Sequence, residues 1–382
     1  MTVTTRRRGF MMVVAAGGAL VALTGCDTMP ASAVRAWQRP LQTESDPRLR
    51  ALGWAMLAPN PHNLQAWVAD VREPGLIKLH VDMRRLLPET DPSGRQVLIG
   101  CGAFLELLRM AAAHDGWQAD AELMPEGEYA SDRLDNRPFA VVRLRRATGV
   151  SPEPLFEVAR LRRTTRSVYD ARTPGVDDLA ALRAAARAPG IAFNAAVEPG
   201  QVARLTELAI QGYRIESTDA AAWGETARLM RVGAPAVAEE PSSVSLLGTE
   251  VWFGRHLGLL GSDKLMRPDG IAATRAVTGS TEAARSTRAW IWLTSADNTR
   301  RSQLEAGRAY MRLDLQAARS GLAIHPNSQV LQEFSVMSPA YAAFHREVGI
   351  AAPAHVQMLA RLGYADRPGA APRRSIANVV RA

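Results

Sequence analysis

Residues 96–115, QVLIGCGAFLELLRMAAAHD, decide the fold of this chain. Apolar side chains occur on nearly every side of this segment, namely Val97, Leu98, Ile99, Phe104, Leu105, Leu107, Leu108 and Met110. A helix that is apolar almost all round has to be buried on most of its surface. The stretch therefore predicts a long central helix in the core of a globular lobe.

A second long helix is predicted over residues 301–320, where apolar and small residues recur at steps of three and four. A shift of 205 positions superposes the two stretches and brings Gly102 onto Gly307 and Leu108 onto Leu313. Matches at one fixed shift are typical of a weak internal repeat, and they predict two related lobes. The alternative is coincidence between two alanine-rich helices.

Shorter segments complete an α+β pattern around the two long helices. Further helices are predicted at 47–57, 176–187 and 199–217, and strands at 77–81, 139–144 and 289–294. Residues 148–154 have the composition of a linker. We therefore predict a first lobe over 47–150 and a second over 155–382, each with a central sheet flanked by helices.

The N-terminus has the order of a secretory signal, with Arg6, Arg7 and Arg8 before an uncharged apolar run at 10–23. Residues 7–10 resemble a twin-arginine export motif, and residues 23–26 resemble a bacterial lipobox that ends in Cys26. We expect residues 1–26 to be a signal peptide and 27–46 a tether. Lipid on Cys26 would then hold the exported protein on the periplasmic side of the cytoplasmic membrane. The alternative is an ordinary signal with a chance cysteine.

Composition narrows the function further. The chain has 382 residues, of which 47% are hydrophobic and 22% charged, as in a soluble globular protein with a large core. Its formal charge of +8 favours an anionic partner, and export argues against nucleic acid. Only Cys26 and Cys101 are present, so neither a disulfide framework nor a cysteine metal site is expected. No P-loop or HExxH motif occurs.

Three segments stand out from the helical background. Residues 58–67, APNPHNLQAW, combine helix-breaking prolines with amides that suit the polar edge of a planar heterocycle, although a capping turn is the simpler interpretation. Residues 162–166, RRTTR, bring arginines and a hydroxyl together as phosphate sites do, although basic runs are more often solvated. Residues 361–374 end in Arg373 and Arg374, which alone would be a basic tail.

In this order the segments resemble the flavin-binding nitroreductase family, in particular its two-lobed, single-chain, Acg-like branch. The resemblance covers most of the mature chain and implies FMN as cofactor. It assigns contacts with the flavin ring to Pro59, Asn60, Pro61, Asn63 and Gln65. It assigns the phosphate to Arg162, Thr164, Arg166, Arg373 and Arg374. A loop beside the flavin corresponds to Pro326, Ser328 and Gln329.

Four positions depart from the family pattern, and they affect different parts of the expected site. Asn60 replaces the usual serine, Ala66 the usual proline, Thr164 a serine whose hydroxyl it keeps, and Ser328 the usual glutamate. The first departure puts a hydrogen bond to the ring in doubt, and the last puts the redox tuning in doubt. Because the first lobe carries only the ring motif and the second only the phosphate motif, the resemblance implies an intramolecular pseudo-dimer with one FMN.

The resemblance implies an FMN-dependent oxidoreductase that passes hydride from flavin N5 to a small nitro compound or quinone. No side chain need act as acid or base in such a reaction. Because NAD(P)H is a cytoplasmic reductant, export points to a membrane quinol or a redox protein as electron donor. A rival hypothesis is a protein that sequesters FMN under a lid at 221–266, and a third is an envelope scaffold without ligand.

Overall fold

The computed structural model describes residues 27–38 and 43–382, so the predicted signal peptide and Cys26 lie outside the described residues. The α-helices are α1 Pro47–Ala55, α2 Arg95–His114, α3 Val176–Ala185, α4 Pro199–Thr218, α5 Ala220–Arg228, α6 Ala234–Glu239, α7 Thr249–His256, α8 Ser262–Leu265, α9 Ile271–Arg285, α10 Arg300–Arg319 and α11 Ser338–Glu347. The strands are β1 Trp67–Asp70, β2 Leu76–Val81, β3 Trp117–Leu123, β4 Pro138–Arg146, β5 Ile191–Ala196, β6 Met230–Val232, β7 Val244–Leu246, β8 Ala289–Ser295, β9 Ala323–Pro326, β10 His355–Gly363 and β11 Val380–Arg381.

The two lobes share one sheet topology. The first sheet has the order β11-β1-β2-β4-β3, and the second has the order β5-β8-β10-β9. Apart from the parallel pair β1–β11, all neighbours in both sheets are antiparallel. In each lobe the long helix joins the second strand of the lobe to the third, α2 before β3 and α10 before β9. The prediction of an α+β protein with two related lobes is confirmed.

The two long helices cross at their glycines, and the contact is reciprocal. A Cβ atom on Gly102 would overlap the carbonyl oxygen of Leu304, and a Cβ on Gly307 would overlap that of Ile99. Leu304 lies 205 positions after Ile99, which is the shift between the glycines themselves. Such self-complementary contact is the mark of a two-fold interface. The lobes therefore pack as a pseudo-dimer within one chain.

Two buried arginines repeat the same symmetry at the first residue of each long helix. Arg95 of α2 reaches into the second lobe and donates to the main-chain oxygen of Gln357 at 2.8 Å. Arg300 of α10 reaches into the first lobe and donates to Ser93 O at 2.8 Å and Ala130 O at 3.0 Å. Both side chains are almost completely buried. They satisfy carbonyl groups that packing of the lobes removes from water.

The chain ends cross between lobes, unlike the simple division predicted from composition. Strand β11, at the C-terminus, pairs with β1 of the first lobe. At the N-terminus a 3-10 helix, Ser32–Trp37, packs on the protein, and the buried Trp37 donates to Ala371 O at 2.8 Å. Burial of Trp37 therefore holds residues 27–38, the first part of the tether predicted at 27–46, on the body of the protein.

A helical insert, residues 220–285, separates α4 from β8 in the second lobe and contains the predicted lid. It is tied to the first lobe by Glu225, which accepts hydrogen bonds from Thr90 N at 3.1 Å and Glu89 N at 2.9 Å. Near its root, Glu216 of α4 accepts from Gln332 Nε2 at 2.9 Å and Thr226 Oγ1 at 3.2 Å. Burial raises the pKa of Glu216 to about 7.

This buried carboxyl makes stability depend on pH. A carboxyl whose pKa is raised on folding binds more protons in the folded than in the unfolded chain, so stability falls as pH rises. Between pH 5 and pH 8 the free energy of unfolding should fall by roughly 2 kcal/mol more in the wild type than in Glu216→Gln. Urea unfolding at both pH values measures this. Glu207→Gln, which changes an exposed carboxyl of the same helix, should behave as wild type.

Candidate functional site

The loop at 56–66, between α1 and β1, carries the proline and amide motif in a strained backbone. His62, Asn63 and Gln65 have positive φ angles of 46°, 55° and 54°. Side chains make this conformation costly, and it persists only where the surroundings impose it. Here the side-chain oxygen of Asn60 accepts from Gln65 N at 2.7 Å and closes the turn. The loop is thus held in one shape against its local preferences.

Two amides of the loop are occupied by protein. The side-chain oxygen of Asn63 accepts from Arg373 Nη1 at 2.9 Å, and that of Gln65 accepts from Arg374 N at 2.8 Å. Gln65 Nε2 also donates to Pro241 O at 3.1 Å in the helical insert. These amides therefore join the loop to the C-terminal tail and to the insert. By contrast, the Nδ2 group of Asn60 is buried without a partner among the described residues.

Arg373 and Arg374 hold main-chain oxygens. Arg373 donates from Nε to Met56 O at 2.7 Å and from Nη2 to Leu57 O at 3.0 Å, which satisfies carbonyls beyond the end of α1. Arg374 donates from Nη1 to Gln65 O at 3.0 Å. The structure brings both arginines to the loop, but as buried supports behind it.

Arg162 is also engaged. Its Nε donates to the buried carboxylate of Asp314 at 2.6 Å, and its Nη1 donates to Leu57 O at 3.0 Å. Nη2 lies 3.3 Å from the hydroxyl of Thr164. Burial raises the pKa of Asp314, and the charge of Arg162 opposes that rise. Arg162 therefore links its own segment to α10 within the second lobe, through Asp314, and to the first lobe, through Leu57.

Arg166 differs from these three arginines. It forms no hydrogen bond or ion pair with any residue that the structure describes. The side chain is accessible to solvent, yet protein surrounds it closely enough for burial to lower the pKa of the guanidinium. Tyr213 and Tyr310 are among its electrostatic neighbours. A charge in such a recess, without a carboxylate partner, can bind an anion.

Two histidines that the sequence had not singled out lie beside Arg166. Burial and then the charge of Arg166 lower the pKa of His62 to about 4 and that of His325 well below its usual value. Both rings are therefore neutral at pH 7. The Nδ1 atom of His325 is buried without a partner in the described structure. Their positions in the sequence gave only a weak indication that they belong to the site. His62 is inside the loop motif, and His325 precedes Pro326.

Arg361 lies behind His325, because the two residues are cross-strand partners in β10 and β9. It is completely buried, donates from Nη2 to Ser167 O at 2.9 Å, and lies 4.1 Å from the ring centroid of Tyr169. Its Nε and Nη1 groups have no partner among the described residues. The buried cation adds positive potential to the recess at Arg166.

The predicted flavin-side loop meets the proline motif at α2. Ser328 is fixed by its hydroxyl, 3.2 Å from Leu359 O, and its own main-chain oxygen lies 3.5 Å from Gln96 Nε2. Asn60 packs where Gly100 of the same helix leaves space. Gln329 has a buried side-chain oxygen without a partner in the described part of the chain. Pro326 ends β9, paired with Ala360.

We call the following six residues the seam cluster: Asn60, His62, Arg166, His325, Gln329 and Arg361. Between them they present unpaired donors, an unpaired amide oxygen and two neutral imidazoles. The cluster includes neither a carboxylate nor a cysteine, and the lowered pKa values of its two imidazoles make them weak bases. Its chemistry is that of binding a polar, partly anionic molecule.

The second lobe lacks a counterpart of this loop. Residues 186–190 alone connect α3 to β5, where residues 56–66 connect α1 to β1. An open surface depression lies at this shorter connection, lined by residues that include Ala186, Arg187 and Pro189. The pseudo-symmetric lobes therefore present one such loop, not two, which agrees with a single site.

No protein-family model matches the chain. A putative NAD(P)H nitroreductase of Mycobacterium tuberculosis is 27% identical over 341 residues, which cover 85% of this chain and 88% of the relative. The putative NAD(P)H nitroreductase acg of the same organism is 41% identical over 75 residues, or 20% of this chain. The chain spans 22% of the length of that relative, and it also spans 22% of the length of a further, uncharacterised relative. A solved putative nitroreductase from Anabaena variabilis is 14% identical with a TM-score of 0.41, covering 76% of this chain and 69% of that one.

Proposed function

We propose that this chain is an FMN-dependent oxidoreductase with one flavin site at the seam between its lobes. The observation that carries the proposal is Arg166, a solvent-accessible guanidinium without a partner among the described residues, placed beside the proline and amide loop. The full-length similarity to a putative NAD(P)H nitroreductase supports the same class of reaction.

The unpaired groups of the seam cluster fit FMN. A flavin ring offers acceptor oxygens and nitrogens and one N–H donor, and its phosphate is a dianion. Asn60 Nδ2 can donate to a ring acceptor, and Gln329 Oε1 can accept from the ring N–H. Arg166, with His325 beside it, is the group available for the phosphate.

The other residues assigned by the family resemblance would act one step away from the cofactor. Arg162, Arg373 and Arg374 fix the loop and the lobes, while Asn63 and Gln65 hold the loop against the tail. Thr164 accepts from Arg162, and Pro61 begins the 3-10 turn Pro61–Asn63 that follows Pro59 in the loop. Bound FMN supplies hydride-transfer chemistry toward an electron-poor nitro compound or quinone. The protein contributes binding, orientation and exclusion of water.

Export and lipidation at Cys26 are part of the proposal. They rest on the motifs in residues 1–26 and place the protein on the periplasmic side of the cytoplasmic membrane. NAD(P)H is a cytoplasmic reductant, so a membrane quinol or a redox protein is the donor we propose. Monomeric function follows from the pseudo-dimer, because both lobes that form the site belong to one chain.

A second candidate, sequestration of FMN, is favoured by the cover over the loop. The helical insert contacts the loop directly, through Ser243 N to Asn63 O at 2.8 Å and Gln65 Nε2 to Pro241 O at 3.1 Å. A cofactor held under such a cover could be stored without reacting. The two functions differ in whether a substrate reaches the reduced flavin.

Absorption spectroscopy separates these functions. The purified protein should show a flavin band that bleaches under anaerobic NADPH, dithionite or a quinol analogue, and that returns on addition of a nitroaromatic compound or a quinone. A reduced flavin that none of these acceptors reoxidises would favour sequestration. Absence of a flavin band, even after reconstitution with FMN, would contradict both.

A further inference from the structure

An exposed apolar end of the helical insert has no partner in the described structure. The described part of the chain exposes nine large apolar side chains, and three of them fall within seven residues. These are Phe253, Leu257 and Leu259, with exposed fractions of 44%, 69% and 51%. We call these three residues the apolar tip. The other six are spread over the rest of the chain, so this concentration is local.

A hydrogen-bonded turn holds the apolar tip together. Leu259 N donates to Gly254 O at 2.7 Å and Gly258 N donates to Arg255 O at 3.0 Å, which together form a Schellman turn at the end of α7. Gly258 supplies the left-handed residue of that turn, with φ of 64°. Phe253 and Leu257 are four residues apart and share one face of the helix. An ordered turn thus holds these apolar side chains exposed to solvent.

The start of the described chain is fastened at the other end of the same helix. Asp27 accepts from Ala234 N at 2.6 Å and lies 3.4 Å from Arg255 Nη1. Its main-chain oxygen accepts from Gly248 N at 3.1 Å, and α7 begins at Thr249. The residue before Asp27 in the sequence is Cys26, the proposed lipid site. A lipid anchor there would bring the helix that Asp27 contacts, α7, toward the bilayer.

We propose that the apolar tip inserts into the membrane surface and orients the protein on it. The inference rests on the proposed lipid anchor, since the point of anchoring is what brings this face to the bilayer. A lipid anchor fixes the protein to the bilayer at one point, and the inserted apolar tip adds a second contact that sets its orientation. Lys264, which donates to Gly258 O at 2.7 Å, places a cation beside the turn where anionic headgroups lie. With the tip inserted, the body of the protein has one orientation relative to a donor in the membrane.

Thiol accessibility in membranes tests this face in the full chain. Cys101 is buried and Cys26 would carry the lipid, so an introduced cysteine can be labelled selectively with a membrane-impermeant maleimide. Leu257→Cys should resist labelling in isolated membranes and label fully after detergent is added. Val176→Cys and Val336→Cys, at positions 83% and 54% exposed elsewhere in the chain, should label in both conditions. Equal labelling of all three in membranes would overturn the proposal.

Further outcomes identify what has failed. Wild type recovered in the soluble fraction would overturn the anchor and the docking face, and would leave the flavin reaction standing. A protected Leu257→Cys in a protein that binds no flavin would leave the docking face standing. The protein could instead form a dimer in detergent that is lost when Phe253, Leu257 and Leu259 are all replaced by serine. That result would overturn membrane insertion and would show that the apolar tip binds a second copy of this chain.

Discussion

Arg166→Ala is expected to weaken FMN binding by roughly 100-fold or more and to leave the fold intact. Hydrogen bonds to a charged group contribute about 1.5–3 kcal/mol each, so loss of two reduces affinity by at least about two orders of magnitude. The fold is spared because Arg166 makes no hydrogen bond or ion pair with the described protein. Titration of the apoprotein with FMN, followed by flavin fluorescence, measures the loss.

Riboflavin provides the control for the role of Arg166. If this side chain binds the phosphate, the variant should bind riboflavin as the wild type does, and the preference for FMN should disappear. Arg172→Ala, which removes an exposed arginine that pairs with Asp170 and lies over the ring of Tyr364, should change neither affinity. Wild-type FMN affinity in Arg166→Ala would remove this residue from the proposed site.

Arg162→Ala separates structural from ligand-binding arginines. Removing Arg162 leaves Asp314 as an unpaired buried carboxylate, which typically destabilises a protein by about 3–5 kcal/mol. Arg162→Ala should therefore lose stability, whereas Arg166→Ala should lose flavin. Chemical denaturation of both variants without cofactor distinguishes the two effects.

Gly307→Ala is expected to destabilise the protein by about 3 kcal/mol or more, which is a large share of the stability of an ordinary domain. The added methyl group would overlap the main chain of Ile99, so the two long helices would have to move apart. The seam between the lobes would open with them, and flavin should be released at lower denaturant concentration. Thermal and urea unfolding measure the first effect, and flavin fluorescence the second.

Gly279→Ala is the matched control, because it makes the same chemical change inside helix α9. No heavy atom lies within 4 Å of the Cβ position there, so the higher helix propensity of alanine should stabilise slightly or have no effect. Gly102→Ala should reproduce the loss at Gly307, since the crossing is reciprocal. A Gly307→Ala protein as stable as wild type would contradict the close crossing.

The elements were predictable because their signal is local. The helix expected at 96–115 is Arg95–His114, and the one expected at 301–320 is Arg300–Arg319. Periodic apolar residues report which face of a segment is buried, whatever it packs against. The internal repeat was also visible in the sequence at the crossing of the two long helices. Gly102 and Gly307 are equivalent in the repeat, and they allow a close contact that any side chain would prevent. Eight of the eleven described strands, β11 among them, were not predicted and required the tertiary structure.

The site was predictable only as a set of segments. The sequence does not distinguish the four arginines of the predicted phosphate site, Arg162, Arg166, Arg373 and Arg374. In the structure, all but Arg166 donate hydrogen bonds to Asp314 or to main-chain oxygens. Which arginine remains available depends on distant residues that folding brings together. His325 and Arg361 entered the site for the same reason, through strand pairing between β9 and β10.

By itself, the sequence determined five of the eleven described helices, three of the strands, the two-lobed repeat and the segments that meet at the seam, because apolar period and glycine position act over a few residues. Only the tertiary structure decided how hydrogen bonds are shared among the buried arginines and amides, and that the start of the described chain lies against α7. Those choices depend on which donors and acceptors lose water together, and that is a property of the packed molecule.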